Sequence, residues 1–302
     1  MMGWIFLIIA TVSAAMFSIF FKIFELKGID SLQAILFNYL TAFIWGFALS
    51  FDGTLVENPL EAGWLLPAIV MGFIFVLGMV LLSDSTRRVG VAISTVFSRA
   101  SMVIPVIVSY LFISGSEKPR WLPILLVLVA MVLTIWTGSS RKSGRRLTAG
   151  DIMAPVIVFI TFGMSNSILK IIQDRVSAAR AGWPEERLNA ALSLVTSCIF
   201  LVALLMCVAA VIMKHIYSSH PTRVTWKNIL GGVGLGTANY FCTYMLMLAM
   251  MTIDSSVLFP IHNIGIVAIG AVAGWLCFKE KLRPQQIAGI VLAGAAIAWL
   301  CF

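Results

Sequence analysis

Long apolar runs alternate with short polar connectors along the whole chain, at residues 4–21, 33–50, 64–82, 91–113, 121–138, 152–169, 188–213, 229–251, 255–278 and 284–302. Most are 18 to 25 residues long, and a helix of that length, rising about 1.5 Å per residue, spans a hydrocarbon core of about 30 Å. Lipid offers the backbone no hydrogen-bond partner, so only helices and closed barrels cross it. These runs are too long and too uniformly apolar for the alternating strands of a barrel. The pattern therefore predicts an all-α membrane protein with ten transmembrane helices. Tryptophans stand mostly at run ends or in connectors (Trp4, Trp64, Trp121, Trp136, Trp226, Trp275, Trp299), where interfacial belts place them.

Polar positions add a repeat. Glu117-Lys118-Pro119-Arg120 and Glu280-Lys281-Leu282-Arg283 lie 163 residues apart, each between two apolar runs, and the same offset sets Trp136 on Trp299. At an offset of 148, Met16, Lys22 and Ile23 fall on Met164, Lys170 and Ile171, with Ser18 against Asn166. A duplication is the simplest reading, with a five-helix repeat at 1–138, a basic linker at 139–150 containing Arg141, Lys142, Arg145 and Arg146, and a second repeat at 151–302. Five crossings per repeat is odd, so the two copies are expected to be inverted, as in alternating-access carriers.

Composition agrees with a membrane protein: 60% hydrophobic residues, 11% charged residues and a mean hydropathy of +1.01 lie far outside the soluble range. Met1-Met2-Gly3-Trp4 has no basic residue ahead of the first run, which is therefore expected to be helix one and not a cleaved signal. The net charge of +8 is spread over short connectors, which argues against nucleic acid as a partner. Odd-numbered connectors hold 14 Lys and Arg against 6 in the even-numbered ones, so the positive-inside rule places both chain ends outside. The five cysteines lie in apolar runs without metal-ligand spacing, and neither a disulfide framework nor a metal is expected. His215 and His220 flank Tyr217 without a third ligand nearby, too few for a zinc site.

With ten helices, a glutamate closing the fourth helix of each repeat (Ser116-Glu117-Lys118 and Lys279-Glu280-Lys281) and a small-residue last helix (Gly289-Ile290-Val291-Leu292-Ala293-Gly294-Ala295), the chain resembles the drug/metabolite transporter superfamily, specifically its EamA-type members. The resemblance covers essentially the whole chain. It implies a carrier of small metabolites in the cytoplasmic membrane of a bacterium, with cytoplasmic termini, opposite to the charge count. Relatives move amino acids, sugars, nucleotide sugars, phosphorylated metabolites and drugs, so no substrate follows from it.

Candidate binding residues come from polar groups inside the runs. An arginine near a helix centre costs about 2.5 to 3.5 kcal/mol on insertion scales, so Arg99, eight residues into the fourth run, is expected to face protein or water. His262 matches Arg99 at the 163 offset, and Val91 matches Asp254. Lys22 and Lys170 form a second matched pair, with Ser18 and Asn166 one helical turn before them; snorkelling to the headgroups is the competing role. Pro105 and Pro260 each remove a backbone donor and are expected to free the carbonyls of Ser101 and Ser256 in kinked or broken helices lining a cavity. This makes Phe259-Pro260-Ile261-His262-Asn263 a local candidate, with plain helix bending as the alternative. Asn38-Tyr39 and Asn239-Tyr240 repeat an amide beside an aromatic ring without being equivalent in the two repeats.

No acidic residue lies near the middle of any run. A proton-coupled exporter of cations needs such a carboxylate, so the basic groups favour a small anionic or zwitterionic metabolite moved by alternating access. A flippase for lipid-linked substrates fits the same helices. An intramembrane enzyme fits less well, because no G-x-S-x-G, H-E-x-x-H or buried acid pair is present. Gly232-Val233-Gly234-Leu235-Gly236 resembles a nucleotide-binding loop but lies in an apolar helix with no preceding strand, so it reads as close helix packing, as does the Gly270 and Gly274 pair. The expected partners are a small-molecule substrate and the lipid bilayer, with no cofactor, and a monomer is plausible since one chain carries both repeats.

Overall fold

The structure is a computed structural model describing residues 2–50, 63–89, 91–112, 118–135, 149–179, 181–217, 224–278 and 284–301. These residues form the helices α1 (Met2–Lys27), α2 (Ser31–Leu49), α3 (Leu65–Val89), α4 (Val91–Ala100), α5 (Val103–Phe112), α6 (Trp121–Ile135), α7 (Ala149–Ala179), α8 (Glu185–Tyr217), α9 (Trp226–Ala249), α10 (Ser255–Phe278) and α11 (Pro284–Cys301). No strand occurs among the described residues. Among the described residues, seven stretches are long and apolar enough to cross a membrane: Met2–Phe24, Ser31–Leu49, Leu65–Leu82, Ser94–Phe112, Ala149–Ala179, Glu185–Met213 and Ser255–Cys277. The chain is thus an all-α, multi-pass membrane protein. The glutamates of the duplicated signature, Glu117 and Glu280, lie outside the described residues, as do Trp136 and residues 139–148 of the linker.

Two compact units divide the chain. The first comprises Met1–Val76 and Ile168–Thr252, the second Leu77–Ser167 and Ile253–Phe302. Each unit draws on both sequence halves, and α3 and α7 contribute to both. Duplication in the sequence concerns descent, whereas these units concern packing, and the two divisions need not coincide.

In the first unit, α9 packs on α1, α2 and α8. Its glycines allow this. A Cβ on Gly231 would lie 2.8 Å from the Phe24 ring, one on Gly234 2.7 Å from the Phe20 ring, one on Gly232 2.6 Å from the Ala34 carbonyl oxygen and one on Gly236 2.8 Å from Thr41 Cβ. Backbone carbonyls cannot move aside as flexible side chains do, so the glycine run serves helix contact, as its apolar setting predicts. Gly46 of α2 meets α8 likewise, with Ser197 Cβ 2.8 Å from the position of an added Cβ. Gly270, by contrast, faces open space, with no described atom within 4 Å of such a Cβ, so its expected role in close packing is not seen in this chain.

The α1–α2 connection shows how local chemistry sets the hairpin. Gly28 adopts φ +63° just past α1, a conformation that Cβ-bearing residues avoid. Ile29 N–H turns back to the Phe24 carbonyl at 2.9 Å, which closes α1 in a Schellman arrangement. Asp30 then caps α2 by accepting from the N–H groups of Leu32 and Gln33 at 2.9 and 3.2 Å. Asn228 at the start of α9 clamps the turn, accepting from Asp30 N–H at 3.3 Å and donating to Gln33 Oε1 at 2.6 Å.

In the second unit, α6 packs on α11, α10 and α4. It buries Ile124, Val127 and Met131 on one face, while α11 turns inward the small residues Gly289, Ala293 and Ala296. The fourth apolar run is broken into α4 and α5 at Ser101-Met102. There the bonding tightens to Met102 N–H on Arg99 O at 3.2 Å and Ile104 N–H on Ser101 O at 3.0 Å. The Ser101 carbonyl is therefore not freed by Pro105, contrary to the sequence expectation, because the shorter i to i+3 bond takes it up. Pro260, in turn, sits within an unbroken α10. Trp64 also departs from expectation: it is 2% exposed inside the first unit, whereas Trp226 and Trp275 are 68% and 53% exposed, so Trp64 is a core residue and not part of a belt.

Gly232→Ala and Gly236→Ala are expected to lower the unfolding free energy of the detergent-solubilised protein by about 1–3 kcal/mol each, the usual cost of overpacking, while Gly270→Ala leaves it within about 0.5 kcal/mol. Equal effects at the three positions in chemical unfolding would refute the packing role of the α9 glycines.

Candidate functional site

The sequence candidates fall into both units. Lys22, Asn38, Tyr39, Lys170, Asn239 and Tyr240 belong to the first, Arg99, Asn166, His262 and Asn263 to the second.

In the first unit, Asn38 of α2 and Asn239 of α9 meet directly. The Asn239 amide donates to Asn38 Oδ1 at 3.1 Å. With the Asn38 amide turned over, its oxygen still accepts from Asn239 at 3.3 Å and its nitrogen gains the Leu235 carbonyl at 3.3 Å, so the tie persists in either orientation. The neighbouring tyrosines point into packed surroundings. Tyr39 is buried against Phe200, with ring centroids 6.2 Å apart. Tyr240 is fully buried, shares a 2.6 Å hydroxyl bond with Ser193 of α8 and stacks on Tyr244 at 5.4 Å. Ser193 also donates to the Gly46 carbonyl at 2.8 Å, so one hydroxyl pair links α2, α8 and α9. The two Asn-Tyr pairs thus converge through tertiary packing, although the repeat does not relate them.

Lys170 does not snorkel. Its side chain is buried, and its ammonium donates to Gln173 Oε1 at 2.8 Å, Asp174 Oδ1 at 2.8 Å and the Met250 carbonyl at 3.1 Å, which accounts for its three N–H donors. Gln173 continues the chain by donating to Ser177 Oγ at 2.9 Å. Lys22, its counterpart in the first repeat, is half-buried on α1.

In the second unit, Arg99 occupies the last turn of α4 at the break before α5. A cation there is favoured by the helix dipole. Its charge lies within electrostatic range of the buried imidazole of His262 on α10. Asn263 beside it is buried and donates its amide to the Phe259 carbonyl at 3.0 Å. Further buried hydroxyls accompany Arg99 along α4 and at the break after it: Ser94 pairs with Ser85 at 2.7 Å, Ser98 donates to Thr95 O at 3.0 Å and Ser101 donates to Ser98 O at 2.6 Å. Asp254 caps α10 through the Ser256 N–H at 2.8 Å, and Ser255 Oγ beside it is buried without a hydrogen-bond partner. Asn166 is half-buried on α7. At the rim, outside the spans, Asp84 and Arg88 form an exposed 2.7 Å ion pair, and the Asp84 carboxylate raises the Arg88 guanidinium further above its ordinary value.

Sequence reading missed Gln173, Asp174 and Ser193. The first two fall beyond the sixth run, which was closed at residue 169, whereas α7 continues to Ala179. Lys170, Gln173, Asp174 and Ser177 stand at helical spacings of 0, 3, 4 and 7, the signature of one face, so a signal was present. Ser193 offers none, because an isolated serine in an apolar run reads only as a small residue. Among the described residues, no group of three His, Cys, Asp or Glu is placed to hold a metal ion.

No family model matches the chain. A protein of Haemophilus influenzae described as uncharacterized is 22% identical over 294 residues, covering 91% of this chain and 90% of its own length. A solved crystal structure aligns with a TM-score of 0.67 at 13% identity, covering 98% of this chain and 95% of that one. At that identity the likeness concerns the fold.

Asn38→Ala and Asn239→Ala are each expected to destabilise the ligand-free protein, and the double variant to lose less than the sum by about 0.5–2 kcal/mol, the range for interhelical polar contacts in membranes. Strict additivity in a double-mutant unfolding cycle would show that the amides do not hold the helices together.

Proposed function

We propose that the chain is a secondary transporter of the drug/metabolite type, with ten crossings arranged as two inverted five-helix repeats, moving a small anionic or zwitterionic metabolite across the cytoplasmic membrane of a bacterium by alternating access. One observation carries this reading. Arg99, a permanent cation, stands at a break in the membrane-length apolar stretch Ser94–Phe112, within electrostatic range of His262 on the neighbouring α10.

A guanidinium at that depth is costly unless it faces protein, water or an anion. Its five donors in a planar fork suit a carboxylate or phosphate. A broken helix in a membrane is tolerated where it lines a cavity or is covered by protein, which is where carriers hold substrate. The ammonium of Lys170 is matched by Asp174 and two further acceptors, so the reading assigns the anion to Arg99, for its place at the helix break and its donor geometry, and not to Lys170. The bacterial relative and the nearly full-length fold likeness are compatible with the reading.

The test is a thermal-stability screen of purified protein against matched anionic, zwitterionic, neutral and cationic metabolites, since a ligand that binds the folded state raises its apparent stability. Carboxylated or phosphorylated compounds are expected to stabilise the wild type selectively, and Arg99→Gln to abolish that shift while remaining folded. Loss of a charge-assisted bidentate contact corresponds to a weakening of affinity by about tenfold or more. Selective stabilisation by cations, or an unaltered response in Arg99→Gln, would overturn the anion assignment.

A further inference from the structure

Three oxygens of the first unit converge where α7 reaches the end of α9: the side-chain carbonyl of Gln173, the carboxylate of Asp174 and the main-chain carbonyl of Met250. A carboxylate, a carboxamide oxygen and a main-chain carbonyl are the ligands that hard cations take from proteins. Met250 is also the C-cap of α9, so its carbonyl lies at the negative end of a helix dipole. The cation found there belongs to the chain. The ammonium of Lys170, a buried residue, lies 2.8 Å from Gln173 Oε1, 2.8 Å from Asp174 Oδ1 and 3.1 Å from the Met250 oxygen.

The cluster holds more oxygen than this ammonium engages. A lysine ammonium has three N–H groups in fixed directions, and three acceptors already account for them. Asp174 Oδ2 is left over: it is buried and has no hydrogen-bond partner. Arg175, the next residue on α7, does not fill it and donates instead to the Gly63 carbonyl at 2.7 Å. A spherical ion has no fixed donor directions and takes a carboxylate through one oxygen or both. Potassium in particular exchanges its water shell for carbonyl oxygens, and it is close to a primary ammonium in size and charge. The side chain of Asp174 is 31% exposed against 11% for that of Lys170, so the carboxylate offers a small ion a way in once the lysine stem is absent.

We propose that Gln173, Asp174 and the Met250 carbonyl form a site for a monovalent cation of potassium size, and that Lys170 occupies it as a tethered cation and keeps free ions out. The contact between α7 and the end of α9 then has its full complement of charge without an ion from the medium. In a carrier, this contact is therefore not a place where a potassium gradient acts. The inference goes beyond the transporter reading and stands without it, since it uses none of the residues assigned to the anion.

The test is chemical rescue, read as thermal unfolding of the purified full chain in the chlorides of potassium, ethylammonium and choline at one ionic strength. The wild type is expected to unfold at the same midpoint in all three, because Lys170 holds the site. Lys170→Ala removes the ammonium with its stem, lowers the midpoint in choline, and regains about 3 °C or more, saturably, in potassium or ethylammonium. Choline is too large for the vacated place and has no N–H to donate. Lys170→Met, which fills the place of the stem without a charge, is expected to gain nothing from either ion, and so is the double variant Lys170→Ala/Asp174→Asn. If Lys170→Ala is not recovered folded in choline, the yield of folded protein after solubilisation in each salt is read instead, with the same order expected. Indifference of Lys170→Ala to the three salts, or equal rescue of Lys170→Met, would overturn the proposal. So would stabilisation of the wild type by potassium that Asp174→Asn abolishes, which would mean that the site is open to free ions with Lys170 in place.

Discussion

Helices in lipid gain little from the hydrophobic effect when they meet one another, so their association depends on how closely the backbones approach. In the first unit that approach is set by glycine on α9. At Gly232 and Gly236 the neighbouring atoms are backbone carbonyls of α2 as well as side chains, which leaves no soft element to accommodate even a methyl group. Close contact brings many weak attractions into range at once. It also brings amides and hydroxyls of separate helices within bonding distance, which more widely spaced helices would leave to find partners elsewhere.

The polar contacts follow from that proximity. Asn38 reaches Asn239, Tyr240 reaches Ser193 and Asn228 reaches both Asp30 and Gln33, each across long sequence separations. In hydrocarbon such groups have no water to turn to, so they fix which helix faces which. Residues that look from the sequence like a ligand-binding surface therefore serve first to hold α2, α8 and α9 in register. α9 itself is not among the seven described stretches that are long and apolar enough to cross a membrane. With glycine, asparagine and tyrosine turned towards α1, α2 and α8, it is covered by protein and needs less apolar surface of its own.

The second unit is organised around an interrupted helix. Where α4 gives way to α5, backbone bonding shortens around Ser101 and Met102, and Pro105 withholds a donor from the turn before it. Arg99 stands at the C-terminal end of α4, where the dipole favours its charge, and His262 lies within electrostatic range on α10. The break thus sets a guanidinium and an imidazole within electrostatic range of each other in an apolar protein. Lys170, a buried cation of the first unit, has the Asp174 carboxylate as its counter-charge one helical turn away.

The helical, membrane-spanning character of this protein was legible in the spacing of its apolar runs, because the absence of backbone partners in lipid leaves few alternatives. The glycine run on α9 was legible too, since no strand precedes it. The expectation that Arg99 faces protein or water followed from the cost of its charge. What only the tertiary structure decided was which polar groups are already matched. Asp174 satisfies Lys170 because α7 extends beyond the point at which hydropathy falls, and Asn38 meets Asn239 although no repeat relates them. The Ser101 carbonyl is reclaimed by Ile104, and Trp64 is buried instead of lying at an interface. Hydropathy sums over a window and reports where a segment lies. Hydrogen bonds depend on distances of a few tenths of an ångström between residues far apart in the chain, and these exist only once the helices have packed.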